Sequence, residues 1–125
     1  MKLLLDTHTF LWWLDTPQRL SDRARIAIAN PKNFVFVSAV SFVEIAIKSN
    51  LGKLTLSGEP EKQLTACRFE ELPLTIAHAD ALRGLPPVHN DPFDRMLIAQ
   101  AQVEKMTIAT RDQTMGAYDV LVLAA

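Results

Sequence analysis

Apolar and polar positions fall in short blocks along the chain that read alternately as strands and helices. Leu3-Leu4-Leu5 is a continuous apolar run, as a strand buried on both faces requires. It meets Asp6-Thr7-His8-Thr9, a capping segment for a helix through Phe10-Leu11-Trp12-Trp13-Leu14 that Asp15-Thr16-Pro17 breaks. Ser21-Asp22 opens a second helix containing Ala24, Ile26, Ala27 and Ala29, and Asn30-Pro31 ends it. Phe34-Val35-Phe36-Val37 is the next apolar strand, and after Ser38 a helix is expected over about residues 40–50. Gly58-Glu59-Pro60 marks a turn before a short helix around residues 61–66. Residues 69–74 carry two glutamates and Pro73, which suits only a short edge strand.

Thr75 can cap a helix over residues 76–82, ended by Gly84-Leu85-Pro86-Pro87. The next helix start is the clearest in the chain. Asp91 is the N-cap, Pro92 occupies the first helical position, and Asp94 meets the positive end of the helix dipole. This helix should run to about Lys105. Thr107-Ile108-Ala109-Thr110 is a strand, Asp112-Gln113 opens one helical turn, and residues 120–123 form the last strand. Strands followed by helices over short connections predict an α/β fold. A central, mainly parallel sheet would carry helices on both faces.

With 125 residues and a hydrophobic fraction of 49%, the chain is the size of one domain, 1–125, with a proper core. Lys plus Arg number 13 and Asp plus Glu 14, so a partner held by bulk positive charge is excluded, while a locally gripped nucleic acid is not. Cys67 is the sole cysteine, which excludes an internal disulfide and a cysteine-rich zinc site. The opening leucines meet Asp6 too soon for a signal-peptide core, and no apolar run approaches the roughly 18 residues of a membrane span. A cytoplasmic protein is therefore expected. Four glycines, with no Gly-x-Gly-x-x-Gly after the first strand, exclude a Rossmann nucleotide binder.

In a parallel α/β sheet, ligands bind where the strands' C-terminal ends feed helices. Four acids belong at that edge. Asp6 ends the first strand, Glu44 lies in the second turn of the helix after the second strand, Asp94 is in the first turn of its helix, and Asp112 follows the fourth strand. Carboxylates about 4 Å apart repel by about 4 kcal/mol per pair at an effective dielectric of 20, which a divalent ion relieves. Mg²⁺, held by carboxylates, can activate water and stabilise charge on a phosphoryl group. Each acid also has a plainer reading: Asp6 and Asp112 as caps, Asp94 as a dipole-complementing residue, and Glu44 as the partner of Lys48 across one helical turn. The coincidence of all four is what points to a site.

Asp6-Thr7-His8 after the leucines, Ser41-Phe42-Val43-Glu44-Ile45, the Asp91-Pro92-Phe93-Asp94-Arg95 block with its Leu97-Ile98-Ala99-Gln100-Ala101 tail, and Ala109-Thr110-Arg111-Asp112 together resemble the PIN-domain family. They are most similar to its VapC-like toxin ribonucleases from toxin–antitoxin pairs. The resemblance implies a three-layer α/β/α fold and a metal-dependent endoribonuclease that cuts RNA. Mg²⁺ would be the cofactor, with Mn²⁺ as an alternative. Asp6, Glu44, Asp94 and Asp112 would be the catalytic, metal-binding quartet, with Asp6 and Asp94 the chief ligands. A cognate antitoxin, homodimerisation, and products with a 5′-phosphate and a 3′-hydroxyl are also implied.

Arg95 and Arg111 stand beside Asp94 and Asp112. Each is a candidate phosphate contact or a salt bridge that orients its acid. Thr7 and Thr110 offer hydroxyls to substrate at the same rim. His8, His78 and His89 show no metal or acid–base spacing: His8 and His89 read as loop residues and His78 as a partly exposed helix residue. Of Trp12 and Trp13, at least one is expected in the core, the other being available to stack a base or serve an interface. Met96, Met106 and Met115 read as packing residues. Two other functions compete. A haloacid-dehalogenase-like phosphatase also places an Asp after its first strand, but needs a second Asp where His8 stands. A non-catalytic PIN-like RNA- or protein-binding module would have no need of the full quartet.

Overall fold

The leucines that open the chain form the middle of a five-stranded sheet. In a computed structural model describing Met1–Ala125, β1 (Lys2–Leu5) pairs with β2 (Phe34–Ser38) on one side and β4 (Thr107–Thr110) on the other. β3 (Glu70–Leu72) and β5 (Val122–Ala124) occupy the edges, giving the order β3-β2-β1-β4-β5 with every pairing parallel. The glutamate-bearing strand is at an edge, as its composition requires.

Side chains alternate across β1, and the two apolar clusters follow from that period. Leu3 and Leu5 enter one cluster with Phe10 and Leu11 of α1 (Thr7–Asp15), Ala24 and Ile28 of α2 (Asp22–Ala29), and Leu64 of α4 (Pro60–Cys67). Leu4 enters the other with Leu97, Ile98 and Ala101 of α6 (Pro92–Glu104), together with Leu85 and Met115. α5 (Ile76–Arg83) packs on α6 through the partly buried Ala81 and Leu82. Helices thus cover both faces, and the architecture is the three-layer α/β/α arrangement expected of a PIN-like fold. No helix is long and apolar enough to cross a membrane.

Three expectations need correction. The last strand begins two residues later than its apolar run because β4 sets its register: Ile108 aligns with Val122, and the Ile108 N–H donates to Leu121 O at 2.9 Å. His78 is buried, since its Nδ1 accepts the Thr75 N–H at 3.0 Å in a capping box and its Nε2 lies 2.8 Å from a Glu104 carboxylate oxygen. Neither tryptophan is fully buried: Trp13 packs against Phe69 at 6.1 Å between ring centroids, and Trp12 reaches the cleft described below.

Candidate active site

Asp6 is placed by the two central strands. Its N–H donates to Ala109 O of β4 at 3.1 Å, so the residue leaves β1 still fastened to the neighbouring strand. Its Oδ1 accepts the Thr9 N–H at 2.9 Å and caps α1, while its Oδ2 accepts the Thr110 hydroxyl at 2.6 Å. Asp6 is therefore a helix cap and a site carboxylate together.

Glu44 enters from α3 (Ala39–Asn50), whose inward face is Val40, Ser41, Glu44 and Ile45. Val43 and Ile47 of the same helix are about half exposed. The helix is rotated so that two polar residues, rather than two aliphatic ones, meet the sheet edge. The Thr7 hydroxyl lies 2.6 Å from Glu44 Oε1 and 3.0 Å from Ser41 Oγ. With one proton to give, Thr7 donates to the carboxylate and accepts from Ser41. The Lys48 ammonium, one turn on, bonds to the other Glu44 oxygen at 2.5 Å. That hydrogen bond outweighs the opposing effect of burial and raises the Lys48 pKa.

Asp91 behaves as its position demands: Oδ1 accepts the N–H groups of Phe93 at 2.8 Å and Asp94 at 3.1 Å. Asp94 follows in the first turn of α6. Burial, and then the charges of Asp91, Asp6 and Glu44, push its carboxyl from an ordinary 3.8 up to about 7, against the opposing pull of His89.

Asp112 leaves β4 with its N–H donated to Thr110 Oγ1 at 3.0 Å, and its Oδ1 caps the following turn through Thr114 N–H at 2.9 Å. Burial pushes this carboxyl up, but hydrogen bonds from His89 and Thr114 outweigh burial and hold it below the usual carboxylate range. His89 Nε2 lies 2.7 Å from Asp112 Oδ2 and 3.2 Å from Asp94 Oδ2. The ligand atoms of His89, Asp94 and Asp112 fall within 4.8 Å of one another. The only hint of His89's place in the sequence is that it lies two residues before a helix cap.

These segments enclose a cleft of about 360 Å³ in which Asp6, Glu44, Asp91, Asp94 and Asp112 share the wall with Lys48 and Arg111. His8, Trp12 and Thr7 complete it. Arg111 stacks 4.4 Å from the Trp12 ring centroid and donates to the carbonyls of Ala125, at 3.1 Å, and Arg19. Arg95 does not line the cleft and makes no ion pair with Asp94. Its guanidinium donates to the carbonyls of Pro86 at 2.8 Å and Leu85 at 3.3 Å and to the Tyr118 hydroxyl at 3.2 Å. The fork holds the loop before α6 in place of the substrate phosphate or acid expected from its position. The hydroxyls of Thr7 and Thr110, read as substrate groups, spend their protons on Glu44 and Asp6.

The donor set fits a hard divalent cation. It consists of carboxylate oxygens; burial, and after it the like charges of Asp91, Asp6 and Glu44, raises the Asp94 pKa to about 7, and a cation would relieve the repulsive part. Such a cleft can hold an ion against phosphate oxygens, and no serine–histidine or cysteine–histidine pair lines it to serve as an alternative nucleophile.

A parallel α/β sheet with carboxylates converging at the C-terminal ends of its central strands defines the class: an α/β protein with an acidic, cation-accepting edge site. The PIN domain family model matches residues 3–121, and the chain belongs to that family. The chain is 29% identical over 119 residues to Ribonuclease VapC22 of Mycobacterium tuberculosis (strain ATCC 25618 / H37Rv), covering 93% of this chain and 91% of that relative. The fold is similar to a chain in the crystal structure of VapBC2 from Rickettsia felis bound to a DNA fragment from their promoter, with a TM-score of 0.68 at 12% identity over 99% of this chain and 98% of the other. It is also similar to a chain of DNA-bound VapBC from Salmonella typhimurium, with a TM-score of 0.65 at 17% identity over 99% and 98%. The family match replaces the haloacid-dehalogenase alternative.

Proposed function

We propose that this protein is a metal-dependent endoribonuclease of the VapC-like toxin kind, hydrolysing RNA phosphodiester bonds. The observation that carries this reading is the meeting of Asp6, Glu44, Asp94 and Asp112, from four separate segments, in one cleft. The likeness to Ribonuclease VapC22 supports RNA as the substrate class.

In this proposal Asp6 and Asp94 are the chief metal ligands, and Glu44 and Asp112 complete the site. When bound, Mg²⁺ or Mn²⁺ would acidify a water and offset negative charge on the phosphoryl group. The chain's part is positioning. Thr9 N–H and the Thr110 hydroxyl fix the Asp6 carboxylate, and Thr7 and Lys48 fix Glu44. In this reading Arg111, which lines the cleft, is the contact for a backbone phosphate of the substrate. Attack by water in line with the leaving oxygen gives a 5′-phosphate and a 3′-hydroxyl. Residues 1–125 are read as one PIN-like domain acting in the cytoplasm as a homodimer. The VapBC complexes among proteins of this fold support a cognate antitoxin as partner.

The test is cleavage of single-stranded RNA by purified protein. Cutting is expected with Mg²⁺ or Mn²⁺, none with EDTA, and none by a folded Asp94→Asn variant. Cleavage that survives EDTA refutes the proposal.

A further inference from the structure

His89 is the group in the cleft region that neither the fold nor the quartet explains. Both of its ring nitrogens are committed. Nδ1 lies 3.1 Å from the Asp91 N–H and accepts it, so Nδ1 carries a lone pair and no proton. A neutral imidazole has one N–H, and that proton must then sit on Nε2, facing Asp112 Oδ2 at 2.7 Å and Asp94 Oδ2 at 3.2 Å. An Nε2 that carries a proton has no lone pair to offer an ion.

The loop that carries the ring is held from outside the site through its backbone. The His89 N–H donates to the Tyr118 hydroxyl at 2.7 Å, and that hydroxyl donates in turn to Pro86 O at 2.9 Å. Arg95 grips the same loop through Leu85 and Pro86. The side chain is 13% exposed, so little space is left for another orientation.

We propose that His89 is a positioning residue of the metal site: an Nε2–H donor that bonds Asp112, stands against Asp94 and so holds the two carboxylates together, and is not itself a metal ligand. This rests on the reading of those acids as metal ligands. The two carboxylates come from different elements, the start of α6 and the turn after β4, and no backbone hydrogen bond joins those two segments. The Nε2–H donates to Asp112 and stands 3.2 Å from Asp94 Oδ2, so His89 sets the separation of the two acids before an ion arrives, the role that outer contacts serve in metal sites generally.

The tautomer is tested first, by ¹⁵N-histidine NMR of the metal-free protein at neutral pH, with the His89 signal assigned by its loss in His89→Gln. The expected result is a proton on Nε2 and none on Nδ1; a proton on Nδ1 overturns the proposal. Mn²⁺ binding is then followed by electron paramagnetic resonance. His89→Ala is expected to weaken Mn²⁺ about 10- to 100-fold, and His89→Gln, whose amide N–H₂ can reach the same oxygens, to recover most of that loss. Unchanged affinity in a folded His89→Ala protein, or nitrogen hyperfine coupling from His89 in the wild-type Mn²⁺ complex, overturns the proposal. A wild-type protein that binds no Mn²⁺ overturns the nuclease reading and the positioning role with it. A reversed tautomer in a protein that does bind Mn²⁺ overturns this inference alone.

Discussion

The Thr110 hydroxyl donates to Asp6 Oδ2 at 2.6 Å, joining residues 104 apart in the chain, and Thr110 Oγ1 itself accepts the Asp112 N–H at 3.0 Å. One buried side chain thereby links the first acid of the site to the last. Thr110→Val keeps the shape and removes the hydroxyl, leaving a buried carboxylate oxygen short of a donor. It should cost about 1–3 kcal/mol in a denaturant titration and lower RNA cleavage, and Thr110→Ser should restore most of both.

Stability of the metal-free protein should fall as pH rises through Asp94's range. The folded state holds the Asp94 proton up to about 7, whereas the unfolded chain releases it near 3.8, so between those values folding takes up a proton. The stabilisation this group contributes is full at low pH, declines across that window and is absent above it. Against Asp94→Asn, which carries no titrating group there, EDTA-treated wild type should lose Tm from about pH 4 to about pH 7. Added Mg²⁺ should flatten the difference. Parallel Tm profiles for the two proteins without metal would count against the strained carboxyl.

Lys48→Met should destabilise more than a surface charge removal does, because Glu44 is buried and would lose its only cationic partner. A cost on the order of 1–3 kcal/mol is expected, tempered by the Thr7 hydroxyl that remains. The double variant Glu44→Gln, Lys48→Met should cost less than Lys48→Met alone, since no unpaired buried charge is left. Chemical denaturation of the three variants measures the coupling.

Arg95→Lys should loosen the loop before α6, since an ammonium cannot span the carbonyls of Leu85 and Pro86 together as the guanidinium fork does. Faster hydrogen exchange at the His89 amide is the expected readout. Exchange unchanged from wild type would mean that Tyr118 alone holds the loop.

Much of this could be read in the residues as they stand. Leu3-Leu4-Leu5 declared a central strand because only a strand covered on both faces tolerates three consecutive leucines. Asp91-Pro92 declared a helix start because a cap and a proline suit that position alone. The four acids followed from the rule that parallel strands open their ligand edge at their C-terminal ends, and all four line the cleft. The pairing of Lys48 with Glu44 was also legible from its spacing, whereas the roles of His89 and Arg95 were beyond reach for one shared reason: their meaning lies in which way a side chain turns. Lys48 and Arg95 are each one turn or less from an acid in sequence, yet only Lys48 pairs with it.

The order of apolar and polar residues by itself determined the strands, the helix caps and which edge of the sheet bears the acids, because these depend on local periodicity and on the handedness of the chain. Only the tertiary structure decided the rotation of α3, the register of β5, and the approach of His89 to two acids that lie five and 23 residues away. Those depend on contacts between segments remote in sequence, where packing and hydrogen-bond geometry select one orientation among several that the local pattern allows equally.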